Sequence, residues 1–132
     1  MSKLKTKKIN LVNSNGEEIS IEAELADGFL SRTKGLMGRK NLGEKEGMLF
    51  VFDNLAYHSF WMFNTQIPLD AIFFDEKGIV VDIIEMEPCK NALGFGCPNY
   101  YPKLPAKYVL EMNKGFAKQA QISVGKSKLK SL

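Results

Sequence analysis

The sequence predicts one mainly β domain, a β-sandwich, jelly roll or barrel with one or two short helices. Three observations carry that expectation. The 132 residues have the length of one ordinary domain, and no repeat, low-complexity tract or Pro/Gly/Ser linker divides them. Residues 18–25 alternate between polar and apolar side chains, the period of a half-buried strand. From residue 48 onward, short aromatic and β-branched runs follow one another, separated by turn formers.

Lys8 to Val12, followed by Asn13-Ser-Asn-Gly16, reads as a strand entering a turn, because Asn and Gly tolerate positive φ. In the next strand Ile19, Ile21, Ala23 and Leu25 share one face, with Glu18, Ser20, Glu22 and Glu24 on the other, as in an antiparallel pair. Asp27 is placed to cap a short helix to about Met37, with Phe29, Leu30, Leu36 and Met37 on one side. Gly28 and Gly35 weaken that helix, so packing must hold it. Met48–Phe52, Phe60–Phe63, Leu69–Phe74 and Ile79–Ile84 read as strands, and Asp75-Glu-Lys-Gly78 turns the chain within a hairpin over 69–86. A loop rich in Gly, Pro, Cys and Tyr fills residues 87–105. A strand at Lys107–Met112, a helix at Gly115–Gln121 and a last strand near Ile122–Val124 complete the order. Phe60 and Met62 point one way and Trp61 and Phe63 the other, so both faces need cover from the helix, a second sheet, a partner or a ligand.

Hydrophobic residues at 45% and aromatic residues at 11% suffice for a core without metal or disulfide staples. The net charge of +3 is uneven. With the seven lysines of residues 1–8 and 125–132 set aside as basic tails, residues 9–124 carry 11 Lys and Arg against 15 Asp and Glu. Such a body offers no contiguous basic face for nucleic acid. No signal peptide or apolar span of membrane length is visible, so a soluble, cytoplasmic location without membrane contact is expected.

The chemistry converges on 58–70, "HSFWMFNTQIPLD", which holds the only His and the only Trp. Asn64, Thr65 and Asp70 read first as a rigid corner whose side chains satisfy backbone donors around Pro68. Alternatively, Trp61 offers a flat stacking surface, with Asn64, Thr65 and Asp70 as hydrogen-bonding groups for a sugar or another small polar ligand. Arg39 and Glu111 either pair with each other or join such a pocket. His58 with Cys89 or Cys97, or with a carboxylate, is the best form a hydrolase could take, ahead of a carboxylate pair drawn from Asp70, Asp82, Glu85 and Glu87. Three potential ligands do not complete a zinc site, and no P-loop, dinucleotide or nucleophile-elbow pattern occurs, so no metal or cofactor is expected. Cys89 and Cys97 bracket residues 90–96, consistent with a loop-closing disulfide or with thiols kept reduced in the cytoplasm.

Three segments, Arg32-Thr-Lys-Gly-Leu-Met-Gly-Arg39, Glu46-Gly-Met-Leu-Phe-Val-Phe52 and Phe60-Trp-Met-Phe-Asn-Thr-Gln-Ile-Pro-Leu-Asp70, together with Cys89, Cys97-Pro-Asn-Tyr100 and Tyr108-Val-Leu-Glu111, make the chain resemble the uncharacterised family called domain of unknown function 192. The likeness runs from about residue 21 to 125. It implies a compact, mostly β fold of sandwich or jelly-roll type and no assigned activity. Relatives often look exported, which suits a Cys89–Cys97 disulfide. This sequence departs by showing no export segment and by a longer, Gly-rich spacer between the cysteines.

The resulting expectation is a non-catalytic module for a small ligand, carbohydrate leading by analogy of architecture. Protein–protein interaction through the 87–105 loop stands second and a hydrolase third.

Overall fold

The turn at Asn13–Gly16 folds the first two strands back on each other, and Asn13 holds it by accepting hydrogen bonds at Oδ1 from the Asn15 and Glu17 amides. The computed structural model describes residues 4–89 and 93–131, without the Ser131 side chain. The elements are β1 (Thr6–Val12), β2 (Glu18–Ala26), α1 (Phe29–Lys34), β3 (Glu46–Ala56), β4 (Phe60–Trp61), β5 (Leu69–Phe74), β6 (Val80–Met86), β7 (Asn99–Tyr100), β8 (Ala106–Asn113), α2 (Phe116–Ala120) and β9 (Lys128–Ser131).

Seven strands form one sheet in the order β6-β5-β8-β3-β2-β1-β9, and β4 pairs with β7 in a separate two-stranded ribbon. Strand β2 runs antiparallel to β1 but parallel to β3, and α1 lies in the crossover that a parallel pair requires. The sheet curls until its edges meet: the Val80 amide donates to Ser127 O at 3.0 Å and the Leu129 amide to Gly78 O at 2.8 Å. The barrel alternative therefore describes the fold better than two stacked sheets. Gly78, at φ +84°, lets this seam close, because a Cβ there would lie 2.7 Å from Leu129 O.

Two apolar clusters fill the molecule, one on each side of the central strands. Inside the curl, Ile9, Ile21, Leu49, Ile72, Phe74, Leu110 and Met112 pack with Phe116 and Ala117 of α2. On the other face, Met48, Phe50, Ala71, Phe73 and Val109 pack with Leu36 and Met62. The even–odd alternation of β3, β5 and β8 produces both clusters, and explains why these strands are apolar throughout.

The structure departs from the sequence reading in four places. The first helix spans only Phe29–Lys34 and buries none of its residues. Gly28, not Asp27, is its N-cap, and Gly35 at φ 50° ends it. Phe29 and Leu30 are 75% and 79% exposed, so the anticipated apolar side does not face the core; Leu36, beyond the helix, is the plug. Six residues are too short to turn both ends of that side inward. The fourth strand spans Phe60–Trp61 alone. The last strand lies at Lys128–Ser131, whereas Ser123–Lys126 form a turn with Gly125 at φ 80°. Both basic ends are structured where described: Thr6–Lys8 belong to β1, and β9 pairs with β1. Lysines at 126, 128 and 130 alternate with buried Ser127 and Leu129, the period of a strand.

Candidate functional site

Glu111 is the anomaly of the central sheet. It stands in β8 opposite Met48 of β3 and Ala71 of β5, on the face of Val109 and Phe50. It is 4% exposed and, among the described residues, makes no hydrogen bond or ion pair. A buried carboxylate without a partner is strongly disfavoured, so burial pushes its pKa from the ordinary 4.5 to about 8. Burial thus favours the protonated carboxyl at neutral pH.

Glu111 lines a cavity of about 660 Å³ formed between the α1 segment and the sheet. Its walls are aromatic: Phe50, Phe52, His58, Phe60 and Trp61. Phe60 meets Phe50 edge-on at 4.9 Å, and His58 stacks on Phe52 at 3.7 Å. Arg32 fixes the α1 wall: its Nη1 donates to Asp27 O at 2.7 Å and Val51 O at 2.9 Å, and its guanidinium lies 5.2 Å from the Phe52 ring centre. The volume matches that of small-molecule sites.

Three of the six proposed ligand-binding residues come together here. Trp61, Thr65 and Glu111 line the cavity; Arg39, Asn64 and Asp70 do not. Arg39 instead makes a two-pronged ion pair with Glu24, at 2.7 and 2.8 Å, which raises its own pKa and lowers that of Glu24. Asn64 adopts φ 56° at the corner, where its carbonyl accepts from the Gly38 amide. Asp70 faces the opposite side of β5, where Oδ2 accepts from the Gly115 and Ala117 amides at 3.1 and 3.0 Å and anchors the start of α2. Its Oδ1 is buried without a partner among the described residues, and burial raises the pKa against the pull of those two amides. Thr65 donates to Phe63 O at 3.3 Å.

Cys89 and Cys97 are joined in a disulfide. Cys89 also bridges to Phe63, and its amide donates to Met62 O. The loop is thereby tied beside the Trp61 wall. Gly94 lies against Phe63 and Trp61 at φ +79°, a close approach that suits glycine. Lys90, Asn91 and Ala92 of the loop lie outside the described residues. With both sulfurs bonded, neither cysteine is a nucleophile for His58, whose Nε2 donates to Asn54 O at 2.9 Å. Among the described residues no cluster of three or more His, Cys, Asp or Glu side chains suits a metal ion, and no helix is long and apolar enough to cross a membrane.

Sequence reasoning placed Trp61, Thr65 and Glu111 at the site but overlooked Arg32, Phe50 and Phe52. The available signal was Glu111 itself, an acid within Tyr108-Val-Leu-Glu-Met112, with the two phenylalanines at positions 50 and 52 of the neighbouring strand.

The comparisons agree with this architecture. A UPF0127 protein of Pyrococcus furiosus is 32% identical over 117 residues, covering 85% of this chain and 89% of its own. A solved structure from Novosphingobium aromaticivorans, of unknown function, superposes with a TM-score of 0.85 at 30% identity, covering 97% of this chain and 86% of its own. Another, a Sinorhizobium meliloti protein described provisionally as a transcription regulator, gives 0.87 at 26% identity, covering 98% and 96%. The model of the DUF192 family, described as "Uncharacterized ACR", matches residues 10–128, and the chain belongs to that family.

Proposed function

We propose that the protein is a small-ligand binding module whose site is the aromatic cavity floored by Glu111. One observation carries the reading: a carboxyl buried in the middle of a sheet, with no partner among the described residues, faces a cavity of ligand size. Structural carboxylates are paired or solvated. A carboxyl whose pKa burial raises this far has been kept at a cost to stability, which is the usual mark of a functional site. Trp61, 43% exposed, presents a stacking surface at the same site.

The test is a titration of the methionine methyl and indole resonances against a library of neutral, anionic and cationic fragments. Saturable shifts centred on Met62 and Trp61 support the reading. Shifts confined to the opposite side of the sheet, around Phe116 and Ala117, contradict it.

A second reading, protein interaction through the 87–105 loop, draws support from Phe95 and Tyr101, which are 73% and 60% exposed. Transcription regulation, the provisional description of the Sinorhizobium meliloti neighbour, gains no support from the charge balance of residues 9–124.

A further inference from the structure

The two buried polar side chains of the cavity differ in their commitments. Thr65 and Glu111 are its two buried polar side chains, and the Thr65 hydroxyl donates to Phe63 O. Arg32, Thr33 and His58 likewise donate to backbone carbonyls. A sugar requires several convergent donors and acceptors at the floor of its site, and an anion requires an uncommitted buried cation. Neither requirement is met. The floor presents a single acid amid aromatic rings and the Met62 side chain.

We propose that this cavity takes an organic ammonium ion, a small apolar body whose basic nitrogen ion-pairs with Glu111. The assignment rests on the small-ligand reading of the same cavity. For a buried carboxyl a cation is the partner that makes the ionised form tolerable, and ring faces add their own attraction for it. The exchange balances: the protonated carboxyl releases its proton to solvent and the carboxylate pairs with the arriving ammonium group. On its own sheet Glu111 is flanked by uncharged Met48 and Ala71. The other ionisable groups around the cavity are Arg32 and Lys34 of α1, Asp53 of β3 and His58 between β3 and β4. None of them forms a hydrogen bond or ion pair with Glu111.

The experiment compares a panel of alkyl- and arylalkylammonium ions with the alcohols of the same skeletons. Calorimetry at pH 6, 7 and 8, in buffers of different ionisation enthalpy, is combined with spectra of Trp61 and Met62. The expected result is saturable binding of the ammonium ions, about tenfold weaker for each unit below pH 8. Close to one proton is released per ligand at pH 6, and the preference over the alcohols disappears in Glu111→Gln. Alcohols binding as tightly as the ammonium ions, or an ammonium affinity flat from pH 6 to 8, would overturn the ammonium assignment while leaving the cavity reading in place. Absence of any shift at Trp61 and Met62 with either series would overturn both.

Discussion

Replacing Glu111 by Gln removes one ionisable group and little volume, and its effect on stability follows from the burial of the carboxyl. In the unfolded chain this group titrates near the ordinary 4.5; in the fold it titrates near 8. Below pH 4.5 both states hold the proton and burial carries no ionisation penalty. Between 4.5 and about 8 the unfolded state binds fewer protons than the folded one, so the stability of the native protein falls as pH rises. Each pH unit in that window is worth about 1.4 kcal/mol, which gives a loss of about 3 kcal/mol by pH 7 and about 5 kcal/mol once pH exceeds 8. The Gln variant lacks this slope. Urea unfolding of both proteins at pH 5, 7 and 8.5 measures it directly. The difference in unfolding free energy between variant and native protein should grow in favour of the variant by about 2–3 kcal/mol from pH 5 to 7, with a further gain by 8.5. Parallel pH profiles across this range would refute the argument, because they would mean that Glu111 ionises as freely in the fold as in the unfolded chain.

Other perturbations separate structural residues from those of the site. Asp70→Ala removes the acceptor for two amides at the start of α2 and should destabilise by about 2 kcal/mol, measured by urea unfolding; Asp70→Asn, which retains a carbonyl acceptor, should lose less. Arg39→Ala breaks a partly exposed ion pair and should change stability by less than about 1 kcal/mol, with fragment binding at Trp61 and Met62 unaffected. Reduction of Cys89–Cys97 frees a loop of sequence separation 8 and should lower unfolding free energy by about 2–3 kcal/mol, read from urea midpoints with and without a phosphine reductant. Gly47→Ala would place a Cβ 2.6 Å from Glu111 O and 2.4 Å from the Met112 sulfur; forced shifts in the central strands should cost about 2–3 kcal/mol, seen as a lower Tm.

Much of the fold was legible because strand periodicity is a local property. The alternation of residues 18–25 and the turns at Asn13–Gly16 and Asp75–Gly78 each contain their own explanation, and each occurs where expected. Closure of the curl was hidden, since it depends on Gly78, Val80, Ser127 and Leu129 meeting across half the chain. The lysines flanking Leu129 made a real strand resemble a solvated tail. The first helix misled for a related reason: its apolar residues suggested a buried side, yet Gly35 turns the chain and leaves Leu36 to plug the core alone.

The site was half legible. Composition marked Trp61 and the corner at Asn64–Asp70, but a strand reverses its faces at every residue. Asp70 consequently anchors α2 on one side of β5, while Ala71 and Glu111 share the other. Whether an acid within an apolar strand finds a partner is decided by the neighbouring strands, which the sequence does not order. Here the neighbours are Met48 and Ala71, and among the described residues the acid has no partner.

The most direct test of the account is a carbon-13 NMR titration of the Glu111 side-chain carboxyl in the folded protein. The account predicts a midpoint near 8, with the signal of the protonated acid persisting at neutral pH. A midpoint near the ordinary 4.5 would mean that the carboxyl is solvated or paired, and would remove the central observation on which the cavity was assigned a function.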